Sequence, residues 1–112
     1  MQNKVKIFNG NKACHKKSVP IYARILDAQS ELGEMAKEYL ENSKYGTEDF
    51  VLTEDFKMEY GDVLYCLLSL ANEIDVNADE CLDMAIQKYQ KRINEKQTMS
   101  SENKLSNCKN KS

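Results

Sequence analysis

The sequence predicts an all-α fold, a bundle of four to five helices, and three observations lead to that class. Apolar residues recur at intervals of three and four along three long stretches, which is the period of a helix with one packed face. Residues typical of helix starts precede or open these stretches. No alternating pattern of useful length indicates a β-strand, apart from a weak KVKIF at residues 4–8.

The first long helix is expected to run from near Ser18 to about Glu41. Pro20 suits its first turn, where the N–H that proline lacks has no helical partner anyway. The apolar residues that share one face of this helix are Ile25, Ala28, Leu32, Met35, Ala36, Tyr39 and Leu40.

Three acidic residues, Glu31, Glu34 and Glu38, fall in a neighbouring arc about 60° wide on the same helix. The acidic stripe therefore borders the packed face and does not oppose it. The stretch around Gly46 predicts a break, followed by a short helical piece over residues 47–52.

A second long helix is expected to start at Thr53, which is a suitable N-cap, and to extend to residue 74. It is apolar on nearly every side, as in a helix buried within a bundle. Glu59 and Asp62 lie on it one turn apart, and burying them without a partner would be costly. A last helix is expected over residues 77–93, because Asn and Glu open it with the spacing of a capping box.

The charges divide the chain into three segments. Residues 1–19 hold five lysines and no acid, residues 20–93 hold 16 acids against 7 bases, and residues 94–112 hold four lysines against two acids. With 112 residues there is room for one domain. We predict a basic N-terminal segment at 1–17, a helical domain at 18–93 and a disordered polar tail at 94–112, since the tail has too few apolar residues to pack.

The acidic middle excludes some classes of function. It repels nucleic acid, so no nucleic-acid partner is expected, and it repels phosphates unless a divalent metal intervenes. No apolar run approaches the roughly 20 residues of a membrane span, and no secretory signal is evident, so a cytoplasmic protein is expected. The four cysteines contain no CxxC pair, which argues against a zinc knuckle or a disulfide framework.

Two short motifs carry the chemistry, Glu31-Leu-Gly-Glu34 on one helix and Glu59-Tyr-Gly-Asp62 on the next. In each motif the i, i+3 spacing places both carboxylates on the same face. If the helices pack antiparallel, four oxygen ligands meet in one cleft, which suits Mg²⁺ and its use with phosphate substrates. Acids at helical spacing more often form a solvated face, but the apolar surroundings of the second motif favour the metal site.

The stretch from Ile25 to Ile93 resembles the MazG-like all-α nucleoside triphosphate pyrophosphohydrolases. The family signature, ExxE followed by ExxD, is matched by Glu31, Glu34, Glu59 and Asp62. The resemblance implies a bundle of that type, Mg²⁺ held by these four residues, and hydrolysis of a nucleoside triphosphate to its monophosphate and pyrophosphate. Mn²⁺ could replace Mg²⁺.

The resemblance also implies that Asn72, Lys88 and Arg92 hold the nucleotide. Met84 and Ile86 depart from the family pattern on the last helix, which leaves the substrate open. A metal that neutralises the triphosphate and lowers the pKa of water removes the need for a histidine. Of the carboxylates, Glu34 or Glu31 is expected to act as general base, and the sequence does not separate ligand from base.

Two other classes of protein also place acidic residues on helices. A ferritin-like di-iron protein needs Glu-x-x-His pairs, and the one histidine, His15, lies in a lysine-rich segment. A non-catalytic interaction protein with an acidic groove remains the alternative. In either case the apolar surplus on residues 56–71 predicts self-association, as a homodimer or a dimer of dimers that completes the helical bundle.

Overall fold

The computed structural model describes the backbone of residues 1–11 and 20–110, and side chains up to residue 99. Its helices are α1 (Gln2–Asn11), α2 (Ile21–Asn42), α3 (Glu54–Glu73) and α4 (Ala78–Asn110). No strand occurs among the described residues, so the all-α prediction is confirmed. The chain divides into two compact units, Met1–Asn77 and Ala78–Ser112.

Helices α2 and α3 form an antiparallel pair. Near the start of α2, Arg24 contacts Glu73 at the end of α3. At the opposite end, the ring of Tyr39 contacts that of Phe50, which packs edge-on against Phe56 with 4.8 Å between ring centroids. These two contacts fix the register of the pair, and the surface between the facing sides of the helices, from Arg24 and Glu73 to Tyr39 and Phe56, is called the α2–α3 groove.

Helix α2 begins at Ile21, close to the predicted start, and ends at Asn42. Pro20 immediately precedes the helix, and its carbonyl accepts hydrogen bonds from Ala23 and Arg24 in the first turn. The sequence predicted Pro20 within the first turn of this helix, and the structure has it immediately before that turn. Ser18, near which the helix was expected to start, lies outside the described residues.

The connection from α2 to α3 contains no helix, so the short helical piece predicted over residues 47–52 is wrong. Lys44, Tyr45 and Gly46 all have positive φ, which reverses the chain after α2. The fully buried Ser43 accepts a hydrogen bond from the Gly46 N–H at 3.0 Å. Thr47 donates its hydroxyl proton back to the Lys44 carbonyl and caps no helix of its own.

Helix α3 starts where the sequence predicts. The Thr53 hydroxyl accepts a hydrogen bond from the Phe56 N–H at 3.1 Å, as expected of an N-cap. The buried residues of α3 are Cys66, Leu68, Ser69 and Ala71, in the half of the helix that α1 also packs against.

Helix α1 includes the KVKIF stretch, so the weak strand pattern there was misleading. Val5 is buried, and the ring of Phe8 lies edge-on to Tyr65 of α3. Asn9 accepts a hydrogen bond from the Tyr65 hydroxyl and donates one to Ser69 at 3.1 Å. The described part of the predicted N-terminal segment is thus helical and packed on α3, while residues 12–17 lie outside the described residues.

Helix α4 begins one residue after Asn77, in agreement with the predicted start, and continues to Asn110. The predicted end was Ile93, and a disordered tail was expected from residue 94. The described backbone of residues 94–110 is helical instead, so this part of α4 lengthens the helix that the sequence predicted. The bounds 1–17, 18–93 and 94–112 otherwise stay a prediction.

Among the described residues, no helix combines the length and apolarity that crossing a membrane requires.

Replacing Asn9 with alanine should lower the free energy of unfolding by about 1–3 kcal/mol, because it leaves the buried Ser69 hydroxyl and the Tyr65 hydroxyl without their partner. Urea unfolding followed by circular dichroism measures this change. Lys4→Ala, at an exposed position of the same helix, is the matched control and should change stability little. Equal stability of the two variants would contradict the docking of α1 on α3.

Candidate metal centre

Helices α2 and α3 bring three carboxylates together. Glu31 of α2 and Glu59 and Asp62 of α3 each offer an oxygen, and these atoms all lie within 4.8 Å of one another. All three residues are half-buried. The i, i+3 spacing aligns the two acids of α3, and the antiparallel register places Glu31 opposite them.

The electrostatics of this carboxylate trio, Glu31, Glu59 and Asp62, disfavour three negative charges without a cation. The pKa of Glu59 is raised above its ordinary value by desolvation, and further by Asp62 and Glu31. Among the described residues, no lysine or arginine forms an ion pair with any of the three. Oxygen donors at this spacing fit a hard divalent cation such as Mg²⁺, whose charge would remove the repulsion.

The fourth predicted ligand, Glu34, lies outside the carboxylate trio. It is exposed, one turn beyond Glu31 on α2, and its charge also contributes to the raised pKa of Glu59. Glu38, a further turn along, is half-buried and acts on Glu59 in the same direction. The structure therefore brings three of the four predicted ligands together, and the ligand role of Glu34 stays a prediction.

Cys66 continues the groove one turn beyond Asp62. Its thiol is buried, and burial raises its pKa, with Glu31 and Asp27 adding to the effect. Arg24 acts in the opposite direction and lowers it. The Cys66 thiol therefore lies within the electrostatic reach of both the acidic residues and a cation.

That cation, Arg24, was not singled out in the sequence analysis. A guanidinium nitrogen lies 3.5 Å from Glu73, and the arginine side chain is only 17% exposed. A signal was present in the sequence, because Arg24 precedes Glu31 by seven residues and therefore shares its helix face after two turns. What the spacing could not show is that this face turns toward α3.

The predicted nucleotide-binding residues lie in different surroundings. Asn72 faces α1, where its side-chain amide donates a hydrogen bond to the Gln2 carbonyl at 3.3 Å. Lys88 and Arg92 belong to α4, which forms a unit of its own, and both are exposed. The Lys88 ammonium lies 4.9 Å from the ring centroid of Tyr89. The substrate role of all three stays a prediction.

Comparison with known proteins places the chain beside one bacterial protein. No protein-family model matches it. YpjD of Bacillus subtilis (strain 168), itself uncharacterized, is 39% identical over 77 residues, a match that covers 66% of this chain and 68% of YpjD. A crystal structure of Bacillus subtilis YpjD, described as a candidate pyrophosphatase, matches with a TM-score of 0.61 and 32% identity, covering 79% of this chain and 86% of that one.

Replacing Glu59 with glutamine should raise the thermal unfolding midpoint at pH 7 in metal-free buffer. A carboxylate whose folded-state pKa is raised destabilises the fold once it is ionised, so this penalty is absent below about pH 4 and develops as the pH rises through the folded pKa. The advantage of Glu59→Gln should therefore disappear in acid. Thermal melts across this pH range measure it.

Asp55→Asn is the matched control for this prediction, because Asp55 lies in the first turn of the same helix, where a negative charge is favourable. It should not stabilise the protein at any pH. A Glu59→Gln variant that melts below the wild type at pH 7 without metal would contradict the repulsion argued for the trio.

Proposed function

The chain belongs to the same protein family as Bacillus subtilis YpjD, and we propose that it is a metal-dependent nucleotide pyrophosphohydrolase. The observation that carries this proposal is the convergence of Glu31, Glu59 and Asp62 from two helices. The YpjD crystal structure, described as a candidate pyrophosphatase, supports the same class of reaction. Within that class we retain the MazG-like assignment, because the ExxE and ExxD motifs supply all three of these acids.

The proposed substrate is a nucleoside triphosphate and the products are its monophosphate and pyrophosphate. Glu31, Glu59 and Asp62 would hold Mg²⁺, or Mn²⁺ in its place, through their carboxylate oxygens, with Glu34 as the fourth predicted ligand. When bound, the metal supplies charge neutralisation and Lewis acidity at the phosphates. The residues of the chain then have three tasks, which are to fix the metal, to orient the phosphates and to accept a proton.

We assign the proton to Glu34. It is one turn beyond Glu31 on α2, its charge acts on Glu59, and its exposed carboxylate is open to water. In the proposed step the water oxygen forms a bond to phosphorus, Glu34 accepts the water proton, and the bond from that phosphorus to the bridging oxygen breaks. Pyrophosphate leaves with the bridging oxygen. Glu31 is the alternative base, but in that role it would no longer be free to bind the metal.

Asn72, Lys88 and Arg92 remain the proposed contacts to the nucleotide. The Asn72 amide donates one hydrogen bond to Gln2 and still has a second N–H and its oxygen available. Lys88 and Arg92 are cations on exposed positions of α4, which suits contact with phosphate or ribose.

Asp62→Asn should reduce pyrophosphate release by roughly a hundredfold or more, since it removes a proposed metal ligand, and changes even to residues behind the ligands cost about 10- to 100-fold. The assay uses a panel of nucleoside triphosphates with Mg²⁺, and thermal melts check that the variant is folded. Asp55→Asn makes the same chemical change at an exposed site of the same helix and should leave the rate unaltered.

If the wild-type protein binds Mg²⁺ but hydrolyses no nucleotide of the panel, the proposed enzymatic activity is wrong. In that case the acidic groove would serve the alternative role of binding a basic partner.

We also propose that the protein is a homodimer or a dimer of dimers. None of the 22 residues of α2 is buried, although the helix is strongly amphipathic. Ile21, Ile25, Leu32 and Tyr39 recur at intervals of four and seven residues along one face, and each is at least 42% exposed. A second copy that packs on this α2 apolar face would remove it from water.

Leu32→Lys should weaken or abolish this assembly, because it places a charge in the middle of the α2 apolar face. Light scattering coupled to size-exclusion chromatography gives the molar mass, which should fall from a multiple of 12.9 kDa toward the monomer value. Lys37→Glu is the control. It reverses the charge of an exposed α2 residue outside this face and should leave the mass unchanged. A monomeric wild type at micromolar concentration would contradict the proposal.

A further inference from the structure

Arg24 is a cation whose hydrogen-bonding capacity is largely unused. Its side chain is 17% exposed, and its one ion-pair contact is a single 3.5 Å approach to Glu73. The Arg24 Nε atom is buried and has no hydrogen-bond partner among the described residues. A guanidinium has five N–H donors, and a buried donor left without an acceptor costs free energy. Arg24 is therefore a partly exposed cation whose donors are not satisfied by its contact with Glu73.

The position of Arg24 relates it to the carboxylate trio. It lies two turns before Glu31 on the same face of α2, about 10 Å along the helix axis. On α3, Cys66 follows Asp62 by one turn and precedes Glu73, the partner of Arg24, by two turns. The trio and the ion pair of Arg24 are therefore two turns apart on α2 and three turns apart on α3. The α2–α3 groove thus has a negative centre at the trio and a positive group further along the same groove.

This order of charges matches a polyphosphate that is bound through a metal at one end. We propose that Arg24 binds the phosphate chain of the nucleotide, and that Glu73 holds the guanidinium in place only while no phosphate is present. The inference rests on the proposed function and adds to it a residue that positions the substrate. Arginine and phosphate form two parallel charged hydrogen bonds, which are stronger than the single long contact to Glu73.

The structure also provides a place for Glu73 once it releases Arg24. Glu73 lines a cavity of about 350 Å³ together with Lys6, Asn9, Ser69 and Asn72. Lys6 offers it a new counter-charge there, and the Asn72 amide has an N–H to spare. Exchange of Glu73 from Arg24 to this cavity therefore leaves neither partner buried without a counter-charge.

The two members of the ion pair are expected to act in opposite directions on phosphate binding. Arg24→Gln removes the cation and should weaken binding, whereas Glu73→Gln removes the competing carboxylate and should strengthen it. If the pair served only to hold α2 against α3, both substitutions would act in the same direction, through lost stability.

The test is calorimetric titration of inorganic tripolyphosphate in the presence of Mg²⁺, which probes the phosphate site without the base or the sugar. Arg24→Gln should weaken binding by about 10- to 100-fold. Arg24→Lys, which keeps the charge but loses the fork of donors, should fall in between, and Glu73→Gln should bind severalfold more tightly than the wild type. Affinity for Mg²⁺ alone should be unchanged in all three.

Lys57→Gln is the matched control, because Lys57 is also an ion-paired cation of this unit, 2.9 Å from Glu54, but lies on the exposed surface. It should leave tripolyphosphate affinity unaltered. Thermal melts establish whether each variant is folded. If Arg24→Gln does not fold, Glu73→Gln and Arg24→Lys still decide the test. Unchanged affinity in the arginine variants, weaker binding by Glu73→Gln, or no binding by the wild type would overturn the inference.

Failure of this inference and failure of the proposed function give different results. If the wild type binds tripolyphosphate through Arg24 but hydrolyses no nucleotide, the proposed activity is wrong and the phosphate site stands. If the wild type hydrolyses nucleotides and Arg24→Gln does not raise the KM, the proposed activity stands and the role of Arg24 is wrong.

Discussion

The structure depends most on the antiparallel packing of α2 against α3, with three carboxylates facing one another between the helices. At one end the helices are held together by the aromatic contacts of Tyr39, Phe50 and Phe56, although Tyr39 and Phe50 remain partly exposed. In the middle of the groove the same packing forces like charges together. The fold therefore carries an electrostatic cost, which the cation of the proposed metal site would offset. In the proposed function the same cation would bind the phosphates of the substrate.

The end of the groove away from the aromatic cluster is polar, and α1 determines its character. Asn9 and Asn72 use their side-chain amides to hold α1 on α3, so hydrogen bonds accompany the apolar contacts around the buried Ser69. This arrangement places Glu73 between the Arg24 guanidinium and a polar cavity. In the proposal for Arg24, the carboxylate of Glu73 moves from the guanidinium into this cavity, which Lys6 also lines.

The similarity to YpjD and the geometry of the α2–α3 groove support the proposed function independently of each other. The comparison identifies the family, and it includes a crystal structure described as a candidate pyrophosphatase, but it assigns no role to any residue of this chain. The geometry identifies Glu31, Glu59 and Asp62 as a group that suits a metal, but it names no substrate. The proposed hydrolysis of a nucleoside triphosphate needs both, since a metal site in a helical bundle serves many reactions.

The sequence alone determined the helices and the pairing of acids along each of them. Helical period, the Thr53 cap and the i, i+3 spacing are local properties, and they placed α2, α3 and the start of α4 close to where the structure has them. It did not predict the irregular connection after Ser43, the helical state of residues 4–8 or the extension of α4 to Asn110. There the local pattern was weak or ambiguous.

Only the tertiary structure decided which side chains meet. Glu31 and Glu34 are equivalent by spacing, yet Glu31 belongs to the carboxylate trio and Glu34 is exposed, because the register of α2 against α3 selects one turn of the acidic stripe. Arg24 likewise became relevant only when its helix face was seen to turn toward Glu73. Register and rotation between helices depend on contacts distant in the chain, and the periodicity of a single helix does not contain them.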